Sequence, residues 1–455
     1  MSVPCMHFTY CEMHTTPIIE HVRYQTPIVS LQYSYYHQLS HRMDWDHFAP
    51  YTDYLVYAIP AAAIVLVLSW IVIKVRYKFW ATQPVFHVYD LKYYLSPPGI
   101  IRPALPEKTR FFHPDARFSE FDGTSSQPAF CAFIRRCYMR NGANKYVPDT
   151  THIMPYFGGH SHKCHLSVIE STESLANTKS HRVVQRPKVV SCMTTRPMEC
   201  ELEDPQGERE AFACNYVDYL CVDGSKRGAG LAAQAIYTHE YHNRRLPDMP
   251  IVSVFKREGA ITGIVPICAY QMEGFDMRSW RPMPPLPANA GKIVRCTPAT
   301  LYLATDFLRR RAKTDFGMYL GVGDGNLSEL IRTGNIYLYL YVDTRGAIAS
   351  AYFFRHTCTW LSDGAQVLAC FASVRGDTDD ARFVHAFKSS VTHLMRDEGK
   401  RHGYTLLLVE NIANNDVIVT SLRERTAASF REPAAYFFYN FAYRTFPANR
   451  CLIIN

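Results

Sequence analysis

The pattern of apolar and polar positions is most regular between Tyr54 and Ile73, a run that carries no charged side chain. A helix rises ~1.5 Å per residue, so this run spans roughly 30 Å, the thickness of a bilayer's hydrocarbon core. Trp70 and the flanking tyrosines suit the two interfaces. The run predicts a transmembrane helix. It begins too far into the chain, and is too long, for an ordinary signal peptide. Lys74, Arg76 and Lys78 follow at once, whereas Glu12, Glu20, Asp44, Asp46 and Asp53 outnumber Arg23 and Arg42 on the other side. The positive-inside rule therefore places 74–455 in the cytosol and 1–53 outside it or in a lumen.

Other elements are legible from period and turn chemistry. Asn215 to Val222 is rich in β-branched and aromatic residues and predicts a strand. Asp223-Gly224-Ser225 is turn chemistry, and the Ala-rich segment from Leu231 predicts a helix. Ile336 to Phe354 reads as strand-rich, Asp379 to Lys400 as a helix and Tyr404 to Val409 as a strand. The strand–helix–strand order thus occurs twice, with a proline-rich linker at Pro282–Pro287 between the halves. The chain closes in an apolar strand, Cys451 to Ile454. Residues 1–53 show no clear period and read as a loose extension.

A length of 455 residues is too great for one simple core. Hydrophobic content of 47% and charged content of 20% describe a folded protein. A net charge of +8 with no dense Lys/Arg run argues against a nucleic-acid partner. The fourteen cysteines include no C-x-x-C pair and read as reduced. Cys221 falls in a strand with no partner base and reads as core. His160, His162, Cys164 and His165 cannot all face one ion from a strand, so no metal is expected there. Arg309-Arg310-Arg311 reads as a solvated helix face, and Gly-Val-Gly-Asp-Gly at 321–325 as a turn.

The chemistry concentrates after Val222. Arg227-Gly228-Ala229-Gly230-Leu231-Ala232 links strand to helix. Glycines at a helix start let backbone N–H groups approach a pyrophosphate, and the helix dipole favours the anion. The stretch resembles R-x-x-G-x-A, the acyl-CoA pyrophosphate loop of GNAT acetyltransferases. Phe79-Trp80-Ala81-Thr82-Gln83-Pro84-Val85 is similar to the F-W-x-T-Q-P-V of eukaryotic N-myristoyltransferases. Lys145 to Asp149 resembles that family's N-Y-V-E-D loop, and Lys188 to Pro197 its K-L-V-G-F-I-S-x-x-P strand. Tyr216 to Val222 resembles E-I-N-F-L-C-V, Cys268 to Tyr270 resembles C-R-Y, and Tyr436 to Asn440 resembles Y-Y-L-Y-N.

The resemblance implies an α+β fold of two pseudo-symmetric GNAT-like halves, preceded by the transmembrane helix. The expected boundaries are 1–53, a non-cytosolic extension; 54–73, the span; 74–285, the acyl-CoA half; and 286–455, the peptide half. It implies transfer of a myristoyl group from myristoyl-CoA to the N-terminal glycine of a protein, with no permanently bound cofactor. Tyr77, Lys78, Phe79, Trp80, Tyr219, Leu220, Cys221, Val222, Arg227, Gly228, Ala229, Gly230, Leu231 and Ala232 would bind acyl-CoA. Tyr146 and Asp149 would line the peptide site. The N–H groups of Tyr219 and Leu220 would face the carbonyl oxygen. The α-carboxylate of Asn455, its pKa raised by burial, would take the amine's proton.

The departures fall on the peptide side. The family's G-x-G-D-G is replaced by Ser429-Phe430-Arg431-Glu432-Pro433, its H-K by Asp223-Gly224 and its W-H by Gln271-Met272. Pro148 replaces an acidic residue. Two other readings stay open: a GNAT-type acyltransferase using another acyl chain or amine, and an inactive membrane-anchored relative.

Overall fold

The computed structural model describes residues 49–121, 126–141, 144–177, 182–259, 262–284 and 286–455. The expected extension lies outside the described residues up to position 48. The chain forms two compact units, one built from 84–455 and one ending at Gln83.

In the smaller unit, helix α1 (Ala49–Arg76, 28 residues) covers the expected span, with Pro60 inside it. Its side chains at Leu55, Ile73, Lys74 and Arg76 lie outside the described residues. Over the described residues, no helix is long and apolar enough to cross a membrane. The expectation of a transmembrane helix is therefore met as a helix and no further. After α1, Trp80–Thr82 forms a single 3-10 turn, closed by Thr82 N–H to Phe79 O at 2.9 Å. The Phe79 and Trp80 rings meet edge to face at 5.1 Å.

The larger unit is a mixed α+β structure around one 16-stranded sheet. Its principal strands are β1 (His165–Asn177), β2 (Arg182–Glu203), β3 (Arg209–Val222), β4 (Ser253–Glu258), β5 (Cys268–Asp276), β6 (Lys292–Arg295) and β7 (Met318–Gly321). Then follow β8 (Ile336–Val342), β9 (Ile348–Trp360), β10 (Gln366–Arg375), β11 (Tyr404–Glu410), β12 (Phe430–Tyr439) and β13 (Cys451–Ile454). The order is β6-β8-β9-β10-β11-β5-β12-β4-β3-β2-β7-β13, with β1 beside β2. The expected strand-rich region from Ile336 is two strands, separated by a turn that Asp343 organises through the N–H groups of Arg345 and Ala347.

Two parallel crossovers repeat the same motif. In the first, β3 leads through α3 (Leu231–Asn243; α2 is Ser126–Cys137) to β4. In the second, β10 leads to β11 through α6 (Asp380–Asp397; α4 is Leu301–Asp315 and α5 Asp324–Arg332). The Asp379 carboxylate caps α6 by accepting the Arg382 N–H at 2.8 Å. The crossovers differ in one respect. β10 and β11 pair from Gln366/Tyr404 to Cys370/Val409. β3 and β4 pair only at Asn215/Ser253 and Tyr216/Val254, then part.

Helix α3 is docked on the sheet by His239. Its Nδ1 meets Ser167 Oγ at 2.8 Å and its Nε2 meets Thr195 Oγ1 at 2.9 Å. Burial pushes this imidazole down to about 3, so it stays neutral between its two hydroxyls. In the second half, Tyr352, Phe354, Phe383, Phe387 and Leu407 form a core between sheet and α6.

The glycines at 321–325 are a strand-to-helix junction rather than a bare turn. Gly321 ends β7, which pairs in parallel with β13, and Gly323 precedes α5. A Cβ on Gly325 would lie 2.4 Å from the carbonyl oxygen of Gly159. Beside that approach, Asn326 Nδ2 donates to the carbonyls of Pro155 and Gly158. Gly325→Ala should therefore destabilise the protein by about 1–3 kcal/mol through overpacking, against the helix's general preference for alanine. Gly323→Ala, where nothing lies within 4 Å, is the control. Thermal unfolding of the two variants decides it. Equal midpoints would remove the close approach as the reason for these glycines.

Candidate functional site

The site begins where β3 leaves β4. Thr194 pairs with Asp218 and Cys192 with Cys221, so the register of β3 slips by one residue between them. Tyr219 sits in that bulge with φ 44°, a left-handed value costly for an aromatic residue. A buried ion pair fixes it. Arg196 Nε donates to Asp218 Oδ2 at 3.4 Å, both side chains being nearly inaccessible. Asp218 Oδ1 accepts the N–H of Tyr219 at 3.2 Å. The Arg196 guanidinium also lies over the rings of Tyr216 and Tyr156, at 4.8 and 5.5 Å. The expectation that Tyr219 N–H is a free donor is thus modified: Asp218 already holds it. Leu220 is buried beside it, and Cys221 is a packed core thiol pushed up by burial.

The strand then reaches the glycine turn. Asp223 accepts from Ser225 N–H at 3.0 Å and ends β3. It stands where the resembled family carries a basic pair. Burial raises its pKa, but the Ser225 hydrogen bonds, Lys188 and Arg136 outweigh that and hold the carboxyl below its usual range. Lys188 and Arg136 lie 3.6 and 3.9 Å away, so the local charge is not acidic. Arg227, Gly228, Ala229 and Gly230 are all exposed, and Leu231 and Ala232 are partly so. Gly228 and Gly230 have φ of 83° and 79°, and a Cβ on either would meet nothing within 4 Å. The first N–H groups of α3, which begins here, have no partner within the helix. Gly230 is its N-cap.

A second group of residues lines a cavity beside the parting strands: Tyr146, Tyr156, Lys256, Glu258, Arg355 and Cys358 among them. The hydroxyls of Tyr146 and Tyr219 lie 3.2 Å apart, joining the expected peptide residue to the bulge. Burial pushes both phenols up. Asp149 is elsewhere in character: exposed, capping the turn at Thr150 and paired with Arg135 at 3.1 Å. Asn455 is 2% exposed at the end of β13. Arg355 of β9 donates to its main-chain oxygen and, at 2.7 Å, to its Oδ1. Asn455 Nδ2 reaches Tyr436 Oη at 3.4 Å. The sequence expectation considered burial alone. The Arg355 guanidinium faces the place where that expectation puts a carboxylate.

Sequence reasoning passed over Lys256, Glu258 and Glu410. Lys256 Nζ stands 2.7 Å from Glu258 and 2.9 Å from Glu410, and all three are buried. Tyr270 donates its hydroxyl to Glu410. One ammonium cannot neutralise two carboxylates. Burial, together with the neighbouring Glu410, outweighs Lys256 and pushes Glu258 up to about 8. The signal was present as charged residues inside apolar strands: Lys256 and Glu258 in β4 and Arg355 in β9. Arg431, which stands near the resembled family's aspartate, faces Glu273 at 3.5 Å. Glu273 is fully buried and also paired with Arg423, so two partly exposed guanidiniums cover one buried carboxylate. Tyr77, Lys78, Phe79 and Trp80 belong to the smaller unit.

The chain matches no protein-family model and no curated protein by sequence. Its fold does match solved structures. N-myristoyltransferase of Saccharomyces cerevisiae with bound myristoyl-CoA superposes with a TM-score of 0.60 at 10% identity, covering 82% of this chain and 94% of that one. The same yeast enzyme with myristoyl-CoA and inhibitors gives 0.61 at 10% identity, covering 82% and 91%. The fold is therefore similar to that of N-myristoyltransferase.

The raised carboxyl gives a prediction about stability. Glu258 binds its proton more tightly when folded than at its ordinary 4.5, so its contribution is complete at acid pH and is lost as pH rises towards about 8. Glu240, pushed up to about 7 by burial, acts in the same direction. Unfolding free energy should fall between pH 5 and 8, by at most about 1.4 kcal/mol per unit for each group. Glu258→Gln should flatten that slope in urea titrations. An unchanged slope would mean that Glu258 is ionised in the folded protein.

Proposed function

We propose that the chain transfers a fatty acyl group from acyl-CoA to an amine, and specifically a myristoyl group to the N-terminal glycine of proteins. The observation that carries this reading is the unit of β3, bulge and glycine turn: a strand parts from its neighbour after Tyr216, bulges at the left-handed Tyr219 and runs into an exposed glycine turn opening α3. Such a gap admits an extended thioester between the strands. The helix start offers N–H groups to a pyrophosphate, flanked by Arg227. The similarity of fold to an enzyme that binds myristoyl-CoA supports it.

In this reading, Leu220 N–H, and Tyr219 N–H once Asp218 yields it, stabilise the negative charge that develops on the carbonyl oxygen. The amine must lose its proton before attack. The α-carboxylate of Asn455, oriented by Arg355, is proposed to take it. Residues 74–285 and 286–455 are read as the acyl-CoA and peptide halves, consistent with the repeated crossover. Tyr146 and Asp149 are assigned to the acceptor side, and Tyr77 to Trp80 to the acyl-CoA. Helix α1 is proposed to anchor the protein in a membrane through 54–73. Its side chains at Val56, Ile64, Leu66 and Leu68 are apolar and exposed, and basic residues follow it in sequence, placing the catalytic part in the cytosol.

Three measurements test the proposal. Full-length protein in detergent, labelled acyl-CoAs of graded length and Gly-initiated peptides should show transfer, fastest for the fourteen-carbon chain. Acyl-CoA binding without transfer would make the protein an inactive relative. Gly230→Val forces a β-branched residue into φ 79° and should weaken acyl-CoA binding at least tenfold, ~1.4 kcal/mol. Unchanged affinity by calorimetry would remove the pyrophosphate from this turn. On microsomes, added protease should digest 74–455 and spare the N-terminal side; the reverse pattern would overturn the orientation.

A further inference from the structure

The cavity wall holds a ligand set that sequence spacing does not reveal. β9 loses its pairing register between His356 and Trp360, and within that irregularity Cys358 adopts φ 54°. A cysteine in left-handed backbone is strained, and strain of this kind persists where the surrounding structure fixes a side chain's direction. The third residue, His152, comes from a short helical turn, Thr150–Ile153, far away in sequence. One nitrogen of His152, one of His356 and the Cys358 sulfur lie within 4.8 Å of one another. The His152 and His356 rings are 5.0 Å apart, and the His402 ring stands 4.3 Å from His356. His152, His356 and Cys358 line the cavity that Tyr146, Glu258 and Arg355 also line.

We propose that His152, His356 and Cys358 form a three-ligand site for a thiophilic divalent cation of zinc's class. Two imidazoles and a thiolate suit that class, and three protein ligands leave a fourth position open towards the cavity. The bonds zinc makes are about 2.0–2.3 Å long, so binding draws the three atoms together by up to roughly 1 Å. His356 is already oriented: Tyr404 Oη meets its Nδ1, leaving Nε2 for the metal, as an outer partner does in a built site. His152 Nδ1 now accepts the Asp149 N–H at 3.1 Å, so its lone pair exchanges that bond for the metal. Cys358 binds as thiolate, releasing one proton per ion bound. The Arg401 side chain is the opposing charge nearby, acting on both histidines; the thiolate formed on binding offsets it. Resting on the function proposed above, an ion here occupies the acceptor's side of the cavity and makes zinc an inhibitor of transfer.

Metal binding is read without reference to transfer. Full-length protein is stripped with chelator, then titrated with zinc chloride, and bound metal is measured by atomic emission. Cobalt(II) in place of zinc reports a thiolate ligand by its sulfur-to-metal charge-transfer absorption. The native chain should bind one ion tightly and show the thiolate band. Cys358→Ser should abolish the band, and His152→Gln should weaken binding at least about tenfold. His152 is only half-buried, so its variant keeps the test open if Cys358→Ser does not fold. His162→Gln, in the exposed histidine-rich loop, should change nothing. No thiolate band in the native chain, or an equal band and affinity in both ligand variants, would overturn the site.

Discussion

The buried pair between Arg196 and Asp218 is the constraint on which the rest of the site depends. One carboxylate does two tasks: it neutralises a guanidinium deep in the sheet and holds the N–H of Tyr219 in a left-handed bulge. Removing either partner strands a charge in the interior, at a cost of about 3–5 kcal/mol. A bulge on β3 shifts its pairing with β2 by one residue, just after pairing with β4 ends at Tyr216. The gap between two parallel strands, the bulge and the glycine turn opening α3 thus follow one another along the chain from Tyr216 to Leu231.

The strands of the second crossover supply what those of the first lack. This crossover keeps β10 and β11 paired, so it forms wall rather than cleft. From that wall β9 sends Arg355 to the end of β13 and His356 and Cys358 to the cavity. β11 contributes Glu410 to Lys256 of β4, tying the two crossovers together through a buried charge cluster. Polar groups of this kind are costly in a core unless paired, and here they concentrate around one cavity. The surplus carboxylate, Glu258, meets that cost by keeping its proton near neutrality.

Much of this was legible in sequence, and the failures share a cause. The strand at Asn215–Val222, the turn at Asp223, the helix from Leu231 and the second crossover announce themselves by local pattern, because local pattern is what forms them. The glycines at 228 and 230 are legible because only a left-handed turn requires them. Arg355 and Glu410 carry no local signal of what they meet, since Asn455 and Lys256 lie on other strands, and neither Lys256 nor His152 announces its distant partner, Glu410 or His356. The junction at 321–325 was misread as a simple turn because its glycines answer to Gly159, far off in the chain. The burial of Asn455 is legible in the apolar strand that leads to it; its partner Arg355, on another strand, is not.

The central claim is that acyl-CoA lies in the gap opened by the Tyr219 bulge. A structure of the full-length protein with a non-hydrolysable acyl-CoA analogue tests it most directly. The account predicts the pyrophosphate on the N–H groups opening α3 at Leu231 and Ala232. It also predicts the carbonyl oxygen within hydrogen-bond reach of Leu220 N–H, with Asp218 drawn away from Tyr219 N–H. A pyrophosphate bound elsewhere, or an acyl chain outside the gap between β3 and β4, would contradict it.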